Sequence, residues 1–131
     1  MLRSRSINSF EIKKAPIVYD FETYLIASTP SKHNSILASK DESFLKEVYL
    51  FEPNAEWRKM CVVKMCDQTF LKKVAINDSD VIVRSKALWN ISSNSFILAR
   101  SIEDNASSIR KYAKGMLSRL TRSQRFILGI E

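Results

Sequence analysis

The sequence predicts an all-α protein, a short α-solenoid of about three 26-residue two-helix repeats with helical caps. Three observations predict it. Phe-Leu or Phe-Ile recurs at 44–45, 70–71 and 96–97. An acidic residue stands at Glu52, Asp78 and Asp104, with an arginine six places later at Arg58, Arg84 and Arg110. Apolar residues make up 45% of the chain, while two glycines and three prolines in 131 residues leave little room for long linkers. A unit this small buries its apolar face only by stacking on neighbours, so the recurrence implies an array.

At 131 residues the chain has the length of a single domain. Its first stretch, MLRSRSINSF, carries charge but no continuous apolar run, and reads as a leader and not a secretory signal. Residues 1–43 comprise this leader and a degenerate cap repeat. Within it, Thr29-Pro30-Ser31 ahead of Ile36-Leu37-Ala38 gives a helix cap, an early proline and a helix. Tyr19, Phe21, Tyr24 and Leu25 supply apolar surface before it, and Asp41-Glu42-Ser43 leads into the first repeat.

Residues 44–120 hold the three repeats, each a short first helix, a turn and a longer second helix. In the middle unit the first helix is expected over 70–76 with Thr69 as N-cap, followed by the turn cluster Asn77-Asp78-Ser79-Asp80. The second helix is expected over 81–91, ending in Ser92-Ser93-Asn94-Ser95, and its counterpart in the last unit extends to Leu120. Residues 121–131 carry Phe126, Ile127, Leu128 and Ile130. They form either a cap folded back over the last unit or an exposed apolar tail that binds a partner.

Aligned columns give the expected core. On the first helices these are Phe44, Phe70 and Phe96, then Leu50, Ile76 and Ile102. On the second they are Trp57, Val83 and Ile109, then Cys61, Ala87 and Ala113, then Met65, Ile91 and Leu117. The second-helix columns lie four residues apart and form one stripe, with small residues in the middle for close approach. The acid and arginine columns read as a structural ladder: the arginine reaches a carboxylate in the turn of its own or the adjacent unit, and that carboxylate also accepts from free helix N–H groups.

The six-residue acid-to-arginine step, with the local patterns VAINDSDVIVRSKAL and ARSIEDNASSIRKYA, resembles HEAT-type repeats. The short period is similar to the leucine-rich repeat variant group. The resemblance covers residues 44–120 and implies a right-handed superhelix of stacked helices used chiefly as a protein-binding scaffold, with some members binding nucleic acid. The founding type of the variant group holds an iron–sulfur cluster on a cysteine motif. This chain has two cysteines and lacks that motif, so no cofactor is expected.

Net charge is +7. The excess sits on the repeats, where thirteen Lys/Arg face eight Asp/Glu. The side of the second helices opposite the stripe carries Lys59, Met60 and Val63; Ser85, Lys86 and Trp89; and Lys111, Tyr112 and Gly115, flanked by Lys64, Lys114 and Arg119. Lysines mixed with Met60, Trp89 and Tyr112 suit a protein-interaction hot spot or contact with nucleic acid. Gly115 in a helical pattern suggests close approach of another backbone. There is one histidine, His33, and no nucleophile elbow, phosphate-binding glycine loop or metal-ligand cluster. Catalytic and metal residues are therefore none, and a repeat-fold enzyme such as a base-processing glycosylase is a remote third reading. Cys61 and Cys66, five apart on a helix, point in different directions and read as reduced thiols of a cytoplasmic protein. No run is long enough to span a membrane. The expectation is a non-catalytic interaction module, an adaptor, inhibitor or immunity-type protein with a protein partner. Its alternative is a nucleic-acid binder placing Lys59, Lys86, Lys111 and Lys114 on phosphates.

Overall fold

The structure, a computed structural model, describes residues 15–130. The reading of the leader falls largely outside them. Among the described residues there are nine α-helices and no strand. They are α1 (Phe21–Ile26), α2 (Thr29–Ala38), α3 (Glu42–Phe51), α4 (Ala55–Val62), α5 (Gln68–Asn77), α6 (Val81–Trp89), α7 (Asn94–Glu103), α8 (Ser107–Leu117) and α9 (Arg122–Ile127). Consecutive helices pair as α1–α2, α3–α4, α5–α6 and α7–α8. None is long and apolar enough to cross a membrane. The chain divides into two compact units between Lys64 and Met65.

Helix starts follow from side-chain caps that satisfy otherwise unpaired N–H groups. Asp41, Asp67 and Ser93 cap α3, α5 and α7, while Asn54 and Asp80 cap α4 and α6. The cap of α5 is therefore Asp67, whose carboxylate accepts from the Phe70 amide at 3.1 Å, and not Thr69. Helix α5 begins two residues before the expected start, α6 ends at Trp89, and α8 stops at Leu117, short of Leu120.

In the first unit the core consists of Tyr24, Ile36, Phe44, Leu45, Val48, Cys61 and Val62. The Tyr24 ring meets Phe44 edge-on at 5.8 Å, and its hydroxyl donates to Glu52 Oε2 at 3.0 Å. Buried Ser35 accepts from the Val18 amide at 2.8 Å, which fastens the segment before α1 onto α2.

In the second unit Met65, Leu71, Val74, Ala75, Val83, Ala87, Leu88, Ile91, Ile97, Ile109, Ala113 and Leu117 are buried. Gln68 ties the start of α5 to the end of α6, donating to the Asn90 carbonyl at 3.0 Å and accepting from the Ser92 amide at 2.9 Å. Helix α6 lies beside α8.

The second-helix stripe is buried as expected except at Trp57, which is half-buried. One first-helix column is corrected: Leu50, Ile76 and Ile102 are exposed, whereas Leu45, Leu71 and Ile97 are buried. At 3.6 residues per turn, a residue five places past the buried one lies about 140° round the helix, away from the core. Phe70 and Phe96 are half-buried, unlike Phe44. Gly115 is corrected too, since a Cβ there would meet nothing within 4 Å and no backbone approaches it closely.

Candidate functional site

The acid and arginine columns resolve into two separate devices. Each arginine sends Nη1 to the backbone carbonyl of the acid six residues earlier: Arg58 to Glu52 at 3.3 Å, Arg84 to Asp78 at 2.8 Å, and Arg110 to Asp104 at 2.7 Å. Arg58 also reaches the Pro53 carbonyl at 2.7 Å. The carboxylates of Asp78 and Asp104 accept from the amide two residues on, Asp80 and Ala106, at 2.9 Å each. Within a unit the expected arginine–carboxylate pair is thus an arginine–carbonyl bond, because the carboxylate is already committed to the turn. Glu52 differs by accepting from the Tyr24 hydroxyl.

Between consecutive helix pairs of the second unit the carboxylate contact does form. Arg84 Nη2 reaches Asp104 Oδ1 and Asn105 Oδ1, both at 3.2 Å. The two charged side chains are only 7% and 2% exposed. Arg100 Nη1 lies 4.0 Å from the other oxygen of Asp104. These arginines hold structure and do not present charge outward.

The outward groups of the second unit lie on α6 and α8. Lys86 and Lys111 are exposed, and Lys114 is exposed beside them. Trp89 is 55% exposed, with the Arg119 guanidinium carbon 5.9 Å from its ring centroid. This arrangement retains cation–π attraction while leaving much of the indole accessible. Tyr112 is half-buried, and its desolvation pushes the phenol above its ordinary range against the opposing effect of Arg119. No acidic residue occurs in α6 or α8. From 105 to 130 there are six Lys/Arg and no Asp or Glu, a one-signed stretch that inspection of local charge would have found.

In the first unit, Lys59 pairs with Glu56 at 2.5 Å, Met60 is half-buried, and Val63 is exposed at the end of α4. Lys64 does not extend a basic patch. Its ammonium donates to the carbonyls of Ile36, Leu37 and Ser39, closing the C-terminus of α2. Desolvation there holds its pKa below the ordinary lysine range. His33 is half-buried, with its ring 6.3 Å from that of Trp57.

Among the described residues no group of three or more His, Cys, Asp or Glu could hold a metal ion. Cys61 is buried and Cys66 exposed. Burial and the Glu52 carboxylate push the Cys61 thiol up to about 12, against the opposing charge of Lys64. No protein-family model matches the chain, and neither a curated protein nor a solved structure matches it significantly.

Proposed function

We infer that this chain is a non-catalytic, cytoplasmic helical-repeat interaction protein that binds a protein partner through the exposed face of its second helices. The repeats are read as about three HEAT-like or leucine-rich-repeat-variant units of a right-handed α-solenoid. The internal equivalence of the Arg58, Arg84 and Arg110 contacts supports that reading. The observation carrying the functional reading is Trp89, a large aromatic 55% exposed against Arg119, in a unit whose second helices also expose Lys86, Lys111 and Lys114. Half-exposed tryptophans that become fully desolvated on association are the residues that dominate interface energetics.

The absence of acids on α6 and α8 favours nucleic acid as the alternative partner, since phosphate contact needs cations without competing carboxylates. The test is affinity capture from the native cell with and without nuclease, using the wild-type chain and the Trp89→Ala/Lys86→Glu variant. A protein captured regardless of nuclease and lost with the variant supports the leading reading. Nuclease-sensitive capture supports the alternative, and equal capture by the variant contradicts both. Direct titration with a labelled oligonucleotide at two salt concentrations then gives the slope, about −0.9 per phosphate neutralised on duplex DNA.

A further inference from the structure

Helix α9 is fully specified at both ends although it buries no residue. Thr121 and Gln124 form a reciprocal capping box at its start. At its end the Ile130 amide reaches the Arg125 carbonyl and the Gly129 amide the Phe126 carbonyl, both at 3.0 Å. Gly129 sits at φ 75°, which makes this a Schellman closure. What the helix displays is Phe126 at 83% and Ile127 at 82% exposure. Arg122 lies four residues before Phe126 and three before Arg125, so its side of the helix adjoins both. Of the four apolar residues of this segment, Phe126 and Ile127 are thus exposed, whereas Leu128 and Ile130 are half-buried.

Two grooves adjoin it. One, of about 730 Å³, is lined by Arg122, Arg125, Phe126, Ile127 and Ile130 among others. The second, of about 360 Å³, has Leu98, Leu117 and Ile130 in its lining, with Lys114 and Arg125 beside them. They share Arg125 and Ile130. In the first unit the consecutive residues Leu50 and Phe51 are exposed, but the Phe51 ring is engaged edge-on by Phe21 at 5.8 Å.

We propose that α9 and its two grooves form a docking site for an acidic, amphipathic segment of a partner protein, apolar side chains seating on Phe126, Ile127 and the groove between Leu98, Leu117 and Ile130 while carboxylates meet Arg122, Arg125 and Lys114. Charge selects this occupant. A second copy docked symmetrically would set the same arginines against themselves. Nucleic acid would satisfy the cations but gain nothing from Ile127 or an aliphatic groove. A fluid lipid surface offers no side chain to fill a groove. An acidic helix with apolar residues at three- and four-residue spacing supplies both components. This site rests on α9, separate from the Trp89 face except for the shared rim residue Lys114.

The test is selection of a phage-displayed library of random peptides, about 16 residues or four helical turns long, on the full chain. Counter-selection uses the Phe126→Ser/Ile127→Ser variant. The expected outcome is enrichment of peptides with excess Asp/Glu and spaced Leu, Ile, Phe or Trp. Their synthetic versions should lose at least about tenfold affinity on both that variant and Arg122→Glu, and keep it on Trp89→Ala. Enrichment without acidic bias, no enrichment, or affinity unchanged by both α9 variants overturns the proposal. So does sedimentation with phosphatidylserine vesicles, or oligonucleotide binding, that is lost with Phe126→Ser/Ile127→Ser. Because the mutated side chains lie outside the core, circular dichroism should be unchanged; if the serine variant unfolds, Arg122→Glu alone decides.

Discussion

Replacing Arg84 with methionine removes the charge while keeping much of the apolar stem, and so isolates what the guanidinium contributes. Three bonds disappear: Nη1 to the Asp78 carbonyl, and Nη2 to Asp104 and Asn105. The Asp104 side chain, 2% exposed, is left with the Ala106 amide at 2.9 Å and Arg100 at 4.0 Å. Breaking a buried ion pair on one side costs about 3–5 kcal/mol, because the remaining charge stays desolvated. Arg110→Met loses a charged bond to a carbonyl at 2.7 Å, worth about 1.5–3 kcal/mol. Glu103→Gln removes the Arg100 partner whose side chain is 64% exposed, so it should cost below about 1 kcal/mol. Urea unfolding followed by Trp89 fluorescence in a Trp57→Phe background reports the second unit. The Arg84→Met/Asp104→Asn cycle should give a coupling of about 1–3 kcal/mol. An Arg84→Met loss below about 1 kcal/mol, or no larger than that of Arg110→Met, would refute the argument that the buried bridge separates Arg84 from Arg110.

Gly115→Ala should stabilise the chain by about 1 kcal/mol, since the added methyl meets nothing and the helix loses its most flexible residue; chemical denaturation would show a higher midpoint. Ala87→Leu should destabilise by about 1–3 kcal/mol through overpacking of a fully buried small site, read by the same assay. Under native conditions near neutral pH, Ellman's reagent should titrate Cys66 rapidly and Cys61 only after unfolding. The folded Cys61 thiol keeps its proton to about 12 against an ordinary 9.0, so its stabilising contribution is complete below about pH 9 and is lost as pH rises towards 12. The Tyr24 phenol is displaced upward as well, by burial and by Glu52, so stability from urea unfolding should fall by up to about 1.4 kcal/mol per pH unit for each group, beginning near pH 9 for Cys61 and near 10 for Tyr24.

The second-helix stripe was legible because its small column, Cys61, Ala87 and Ala113, can recur only where neighbours press close. The first-helix column at 50, 76 and 102 was misread because recurrence in register shows equivalence, whereas burial depends on angle around the axis. The start of α5 was missed although its signal was present. Asp41, Asp67 and Ser93 recur at the same 26-residue period as the phenylalanines, and so do Asn54, Asp80 and Ala106. In the last of these the capping side chain is absent, and the Asp104 bond to the Ala106 amide is the turn bond that Asp78 also makes to Asp80. The Tyr24–Glu52 bond and the three carbonyls around Lys64 were not legible, since they join residues 25 to 28 places apart that only the packing of the helices brings together. Of the proposed face, Trp89 and the exposed lysines followed from helical phase. The Arg119 guanidinium over the Trp89 ring did not.

The central claim is that the groups at Trp89 and Lys86 serve binding while the aligned columns serve the fold. The most direct measurement compares Trp89→Ala/Lys86→Glu with the wild-type chain for both unfolding midpoint and capture of the native partner. The account predicts unchanged helicity, a stability change within about 0.5 kcal/mol, and loss of capture. A variant that unfolds, or one that captures the partner as well as the wild type, would contradict it.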